Sequence, residues 1–299
     1  MTFTIATTVD EAVDAMAAGA RPIAGGSDLV VGARQGKERL PEDLVAIDRL
    51  VELGAVERSD TGVRIGALVT HSELMSDETV IAEATALADA AALVGSPATR
   101  NVGTLGGNIM NGSPAMDTGA PLVVLGAEVH LRSSSGARSV PIGELWDGPG
   151  STTAAPGELC VSVDLPPAPS ATGSAYVRLE YRRAMEIAVV GAAASVALAD
   201  DGTVALARVA LTAVAPTIIE VAGIADLCDG RSPADCGGDI AAAASAAATP
   251  ISDLRASDEY RRHTVGVMAR RAFDAAARRA GGEAIDVPVN RALGVGEAF

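Results

Sequence analysis

Aromatic side chains are scarce in this chain: three Phe, three Tyr and one Trp, 2% of 299 residues. Its core must therefore be packed from Ala, Val, Leu and Ile. Apolar residues make up 48%, which is ample for two domains or one large one. Cysteine is nearly absent. Cys160, Cys228 and Cys236 form no CxxC pair, so the chain has no ligand set for its own iron–sulfur cluster. Reduced thiols are expected, although the spacing of Cys228 and Cys236 would permit a disulfide. The three histidines, His71, His130 and His263, are scattered and outline no metal site. Positive charge is also short, with 23 Lys and Arg against 38 Asp and Glu, a formal net charge of −15. That excludes a phosphate-backbone partner and disfavours anionic membranes. A bound phosphate would have to rely on backbone N–H groups and helix N-termini. Long apolar runs are missing, and Met1 to Ala6 lacks a basic segment followed by an apolar one. A cytoplasmic protein without a signal peptide or membrane span is expected.

What is present has a clear order. Thr8-Val-Asp-Glu11 reads as a capping box, followed by apolar residues at helical spacing up to Gly19. Short strands are expected at Arg21 to Ala24 and Leu44 to Ile47. Val63 to Val69 reads as a strand, Thr79 to Leu93 as a helix, and Ala98 to Thr118 as a long Gly- and Asn-rich loop. Val123 to Leu131 and Cys160 to Leu165 read as strands, and Pro166-Pro-Ala-Pro169 as a linker. Beyond it come three antiparallel strands, at Ala175 to Tyr181, Ala188 to Leu198 and Val204 to Ala213, with a turn at Asp200-Asp-Gly202. Helices follow at Ile240 to Ala248 and Asp258 to Ala280. The class is α+β, with domains expected at 1–168 (subdomains about 1–55 and 56–168) and 169–299.

Two segments carry the chemistry: Ala24-Gly-Gly-Ser-Asp-Leu29 and Gly103-Thr-Leu-Gly-Gly-Asn108. Paired glycines leave N–H groups unobstructed and allow positive φ, so each segment is a candidate anion nest. Neither has the GxGxxG spacing of a dinucleotide fingerprint, and no Gly-Lys-Ser/Thr occurs. With Gly95-Ser-Pro97, Arg100-Asn101, Ser113-Pro-Ala-Met-Asp117 and Arg182-Arg-Ala-Met-Glu-Ile-Ala188, they resemble the FAD-binding subunit of the xanthine dehydrogenase and carbon monoxide dehydrogenase family.

The resemblance implies a two-subdomain α/β FAD-binding fold of the PCMH type, followed by a C-terminal antiparallel sheet with helices. It implies FAD as cofactor, held without a covalent link, since no histidine or cysteine neighbours either glycine segment in sequence. By the resemblance, Gly25, Gly26, Ser27 and Asp28 form a first cradle flanked by Arg21, Ile23, Ala24 and Leu29. Gly103, Thr104, Gly106, Gly107 and Asn108, with Met110, form a second. Asp117 looks like the acid that hydrogen-bonds the sugar-like part of FAD; an ordinary turn residue is the alternative. Arg178 stands where the family commonly has lysine, and reads either as a flavin contact or as an exposed strand residue. Ile187 reads as a cover for the flavin face or as plain core, while Cys160 and Val94 read more readily as core. His71 is expected to make a local polar contact. Arg261-Arg262 and Arg270-Arg271 are expected on solvated helix faces or in subunit contacts, and Trp146 as a packing or interface anchor. The first glycine segment looks more like the xanthine dehydrogenase-type relatives than the carbon monoxide type.

The implied role is electron transfer. An iron–sulfur small subunit with 2Fe-2S clusters would deliver electrons from a molybdopterin large subunit, and this chain would pass them to a final acceptor. The rivals are a self-contained FAD-dependent oxidoreductase of the same fold and a non-catalytic assembly subunit.

Overall fold

The structure is a computed structural model that describes residues 2–36 and 39–295. The N-terminal part is a small parallel β/α unit: β1 (Thr2–Ile5), α1 (Val9–Ala17), β2 (Arg21–Ile23), α2 (Leu29–Arg34) and β3 (Asp43–Ala46), with sheet order β1-β3-β2. Thr8 caps α1 by accepting the Glu11 N–H at 3.2 Å. The returning Glu11 carboxylate takes the Thr7 N–H (2.7 Å) and hydroxyl (2.9 Å), so the expected box closes one residue earlier. Ala12 and Val13 of α1 pack with Ala6, Val45, Ile47 and Leu50 into a small core.

The second unit runs β4 (Val56–Ser59), β5 (Gly62–Gly66), α3 (His71–Leu74), α4 (Glu78–Glu83), α5 (Thr85–Leu93), α6 (Pro97–Arg100), α7 (Leu105–Met110), α8 (Gly119–Val124), β6 (Glu128–Ser133), β7 (Gly136–Pro141), the hairpin β8 (Trp146–Gly148) and β9 (Ser151–Thr152), and β10 (Leu159–Leu165). An antiparallel five-stranded sheet, β4-β5-β10-β6-β7, backs the helices. Three expectations change here. The helix expected at 79–93 breaks at Ala84 (φ −141°, ψ 45°). Every residue from Ala86 to Leu93 is buried, whereas α4 buries only Val80. The kink lets one half enter the core while the other stays at the surface. The loop expected at 98–118 contains α6 and α7, started by Ser96 and Thr104, whose hydroxyls accept the Thr99 and Gly107 N–H groups. The strand expected at 123–131 is the end of α8, a turn at Gly126 (φ +71°), then β6. All of α8 is buried, so its apolar run carries no periodicity that distinguishes helix from strand.

After the proline-rich stretch, β11 (Thr172–Leu179), β12 (Val190–Leu198), β13 (Val204–Thr212) and β14 (Ile219–Glu220) form an antiparallel sheet in that order. The helices α9 (Ile224–Cys228), α10 (Pro233–Ala247), α11 (Asp258–Ala280) and α12 (Val289–Ala292) follow. Small residues let α11 approach closely. A Cβ at Gly173 would collide with the Ala276 carbonyl of α11, and one at Gly266 would lie 2.6 Å from the Ala241 carbonyl of α10. Arg261 is not on a solvated face. It is 2% exposed, paired with Asp253 at 2.5 Å and bonded to the Ala213 carbonyl. Cys160, Cys228 and Cys236 are buried free thiols.

The two halves meet at Asp89 of α5. Its carboxylate takes both Arg279 guanidinium nitrogens (2.6 and 3.1 Å) and the N–H groups of Tyr176 and Val289 (3.2 and 2.9 Å). A fully buried carboxylate is stable only when its lone pairs are filled in this way.

Candidate functional site

At the C-terminal end of β2 the chain turns through Gly25 and Gly26, the latter at φ +66°. Val30 closes the turn by donating to the Gly26 carbonyl at 3.0 Å. The N–H groups of Gly25, Gly26, Ser27 and Asp28 have no acceptor among the described residues. Four successive unengaged N–H groups around a left-handed residue make a concave donor surface suited to an anion. Gly25 is required for a second reason: a Cβ there would collide with the Val102 carbonyl oxygen. A Cβ on Gly103 would sit 3.5 Å from the Ser27 hydroxyl. The fold thus brings together the two glycine segments that the sequence sets far apart.

The second segment behaves differently from expectation. Gly106 and Gly107 lie in the first turn of α7, and the donors of that turn are engaged. Leu105 donates to Val69 (2.9 Å), Gly106 to Ala67 (2.8 Å), Gly107 to the Thr104 hydroxyl (3.1 Å) and Asn108 to the Thr104 carbonyl (3.0 Å). This corrects the reading of the segment as a second nest of free donors. Gly106 is a packing residue, since its Cβ would lie 2.7 Å from that of Ala67. Gly107 is exposed, and a Cβ there would meet only the Thr104 hydroxyl at 3.0 Å. The Thr104 hydroxyl accepts from Gly107 and keeps its own proton for another acceptor. Asn108 accepts from Thr118 through its side-chain oxygen at 2.6 Å, leaving its amide N–H groups unused among the described residues. Met110 packs on the central core.

The local polar contact expected of the His71 side chain is missing among the described residues. The residue is 2% exposed, lies against Gly103, and its Nδ1 has no hydrogen-bond partner there. Burial, helped by the Arg100 charge, lowers its pKa to about 4, so the ring is neutral.

Asp117 precedes α8 and is 7% exposed. The Tyr176 hydroxyl donates to its Oδ1 at 2.8 Å and Arg178 Nη1 to its Oδ2 at 2.7 Å. Arg178 is fully buried, so the exposed-strand reading falls. It also donates to Glu180 at 2.8 Å and lies 3.5 Å from the Glu186 carbonyl oxygen. Burial alone would lower its pKa, but the carboxylates of Asp117 and Glu180 outweigh that and raise it. Tyr176 and Glu180 were missed from sequence. The available signal was an arginine inside an otherwise apolar strand, which demands buried carboxylate partners.

The loop after β11 carries Met185, at φ +54°, whose N–H donates to the Gly95 carbonyl at 3.0 Å. It leaves Ile187 57% exposed, so the core reading fails for that residue. Cys160 does lie in the core of the five-stranded unit, and burial pushes its thiol up to about 12. Trp146 is a packing anchor, 6% exposed, with its indole N–H on the Ile109 carbonyl at 2.9 Å. An open groove of about 630 Å³, lined by Glu57, Arg58, Arg64 and Asp164 among others, lies at the outer sheet edge, away from these residues. No cluster of three metal-ligating side chains exists among the described residues, and no helix there is long and apolar enough to cross a membrane.

Two N-terminal units thus meet where Gly25 lies against Val102, and the C-terminal sheet packs on the second of them through Tyr176 and Asp89. Residues 1–168 match the family described as the FAD binding domain in molybdopterin dehydrogenase, and residues 175–276 the CO dehydrogenase flavoprotein C-terminal domain. The chain is 32% identical over 268 residues to the xanthine dehydrogenase FAD-binding subunit of Escherichia coli, covering 88% of this chain and 91% of that one. It is 34% identical over 264 residues to the carbon monoxide dehydrogenase medium chain of Afipia carboxidovorans, covering 87% and 90%. Among solved structures, carbon monoxide dehydrogenase from Hydrogenophaga pseudoflava matches with a TM-score of 0.88 at 31% identity, over 93% of this chain and 98% of that chain. Quinoline 2-oxidoreductase from Pseudomonas putida 86 matches at 0.86 and 27% identity, over 94% and 98%.

The chain belongs to the family of FAD-binding subunits of molybdenum hydroxylases. It is an electron-transfer component of an oxidoreductase, with the α+β fold expected from sequence. Identities of 32% and 34% to the two types of relative do not single out the xanthine dehydrogenase type.

Proposed function

We propose that the Gly25–Asp28 loop holds the diphosphate of FAD, and that the chain relays electrons between an iron–sulfur small subunit with 2Fe-2S clusters and a final acceptor. A molybdopterin large subunit would oxidise the organic substrate. The observation that carries this reading is the run of unengaged N–H groups at Gly25 to Asp28 beside Val102 and Gly103. It supplies donors without a cation, as an acidic chain requires. Arg21, Ile23, Ala24 and Leu29 flank that loop. Gly103 lies beside Ser27, Gly106 lets α7 pack against Ala67, and Gly107 leaves the face of α7 bare. Thr104 and Asn108 retain donors for the cofactor, with Met110 as packing behind them. Asp117 presents carboxylate oxygens to sugar hydroxyls, and Ile187 offers an exposed apolar side chain to one flavin face. Arg178 acts from behind Asp117, and Cys160 belongs to the packing. The flavin, when bound, can accept and release electrons one at a time; the protein's part is binding, orientation and exclusion of water. No general base is assigned to this chain. We also place the domain boundary at the exposed 166–169 stretch, giving 1–168 (subdomains about 1–55 and 56–168) and 169–299, in a cytoplasmic hetero-oligomer.

The test has two parts. The purified full-length chain should carry FAD that denaturation and filtration release; flavin left on the polypeptide would overturn the non-covalent assignment. Substrate-dependent dye reduction should appear only with the co-expressed small and large subunits, whereas chemically reduced flavin should pass electrons to dye in the lone chain too. Turnover of an organic substrate by the lone chain at the assembly's rate would replace the relay by a self-contained flavoenzyme.

A further inference from the structure

Both oxygens of Asp117 are held by one strand of the other half of the chain. Tyr176 and Arg178 are two residues apart on β11, so they project from the same face. One takes Oδ1 at 2.8 Å and the other Oδ2 at 2.7 Å. The strand is itself fixed: the backbone of Arg178 exchanges two hydrogen bonds with the Asn290 side chain, at 3.0 and 2.9 Å. Room for the phenol comes from Gly191 on β12, where a Cβ would collide with the Tyr176 hydroxyl. Burial, then the Asp117 charge, raises the phenol's pKa well above its ordinary value, so it remains a donor. Arg178 has a further contact, its Nη1 lying 3.5 Å from the Glu186 carbonyl, next to Ile187.

We propose that Tyr176 and Arg178 are positioning residues that fix the Asp117 carboxylate for the sugar of FAD, so that the C-terminal sheet forms part of the cofactor site. This rests on the reading of Asp117 as the sugar-binding acid. A free aspartate side chain samples several rotamers, and here two donors in a fixed pair select one. The guanidinium fork is needed because it serves Asp117, Glu180 and the Glu186 carbonyl at once; a lysine ammonium is a point charge on a flexible stem. The arrangement also links the sugar contact to the loop that presents Ile187. The placing of that loop and the orientation of Asp117 therefore share one side chain.

The experiment measures FAD affinity of the deflavinated full-length chain, with inorganic pyrophosphate as competitor, for Tyr176→Phe, Arg178→Lys, Arg178→Met and Asp117→Asn. Pyrophosphate reports the glycine loop alone. Tyr176→Phe should weaken FAD roughly fivefold, the scale of one lost hydrogen bond. Arg178→Met should weaken it by at least about tenfold, with partial rescue in Arg178→Lys. Pyrophosphate inhibition should be unchanged in all of them. Loss of FAD and pyrophosphate affinity in equal measure would show a merely structural role and overturn the proposal. So would unchanged FAD affinity in Tyr176→Phe and both Arg178 variants alongside a large loss in Asp117→Asn, which would leave the sugar contact standing. No effect of Asp117→Asn would instead remove Asp117 from the cofactor site, and the proposal with it. Thermal unfolding of each deflavinated variant separates a misfolded protein from a weakened site, and Tyr176→Phe, which removes only a hydroxyl, keeps the test decisive if the arginine variants fail to fold.

Discussion

His71 is a neutral imidazole behind the glycine segments, and its pKa of about 4 makes it a source of acid sensitivity. An unfolded chain would titrate it near 6.5. Between those values the unfolded state binds a proton that the folded state refuses, so stability falls as pH drops. The contribution is fully present above pH 6.5 and declines down to about pH 4, by roughly 3 kcal/mol in all. His71→Gln, which cannot take that proton, should flatten the decline in urea unfolding measured from pH 7 to 4.5. An identical slope in both proteins would place the sensitivity elsewhere. The Cys160 thiol, with its pKa near 12, is inert by the same desolvation argument.

At the scale of elements, α7 separates two explanations for a glycine pair. Gly106 is there because Ala67 presses against it; Gly107 has open space above it. Gly107→Val should reduce bound flavin per polypeptide at least about tenfold, read from visible absorbance, while the unfolding temperature stays within a few degrees. Full flavin content would mean that the bare face of α7 is not part of the cofactor site. The sequence made most elements legible where periodicity or capping was strong: α1 through Thr8, α11 through its closing Arg278-Arg279, and β12–β13 through their turn. It misled where burial erased periodicity, as in α8, and where glycine content suggested a loop although Thr104 was a helix cap. The glycine motifs pointed to two segments that the fold does bring together, at Gly25 and Val102. Their different roles were not legible, because the acceptors of the α7 donors, Val69 and Ala67, lie on a segment that nothing in the motif identifies.

The described residues form three cores, one for each N-terminal unit and one under the C-terminal sheet. The central core also takes in Tyr176, Ala193, Ala210 and Ile218 from beyond the proline-rich stretch, so the halves are packed and not merely tethered. Asp89 is the polar counterpart of that packing. Asp89→Ala would leave Arg279, only 7% exposed at its side chain, without a counter-charge, holding only the Ser174 and Ile285 carbonyls. Breaking such a buried pair costs about 3–5 kcal/mol, so the denaturation midpoint should fall by a corresponding amount at unchanged m-value. A loss under about 1 kcal/mol, the range of a surface pair, would show that the two halves dock through apolar contact alone.

The same aspartate sets a constraint on how the chain is made. Its guanidinium partner lies 190 residues later, and one of its N–H donors 200 residues later. At ribosomal speeds of about 5–20 residues per second, that is a wait of roughly 10 to 40 s. During it α5 has an unpaired carboxylate in a helix whose remaining surface is destined for burial. The first half therefore cannot reach its final packing as it emerges, only after the last helices arrive. Slow synthesis of the C-terminal third should increase aggregation, and co-expressed chaperones should relieve it.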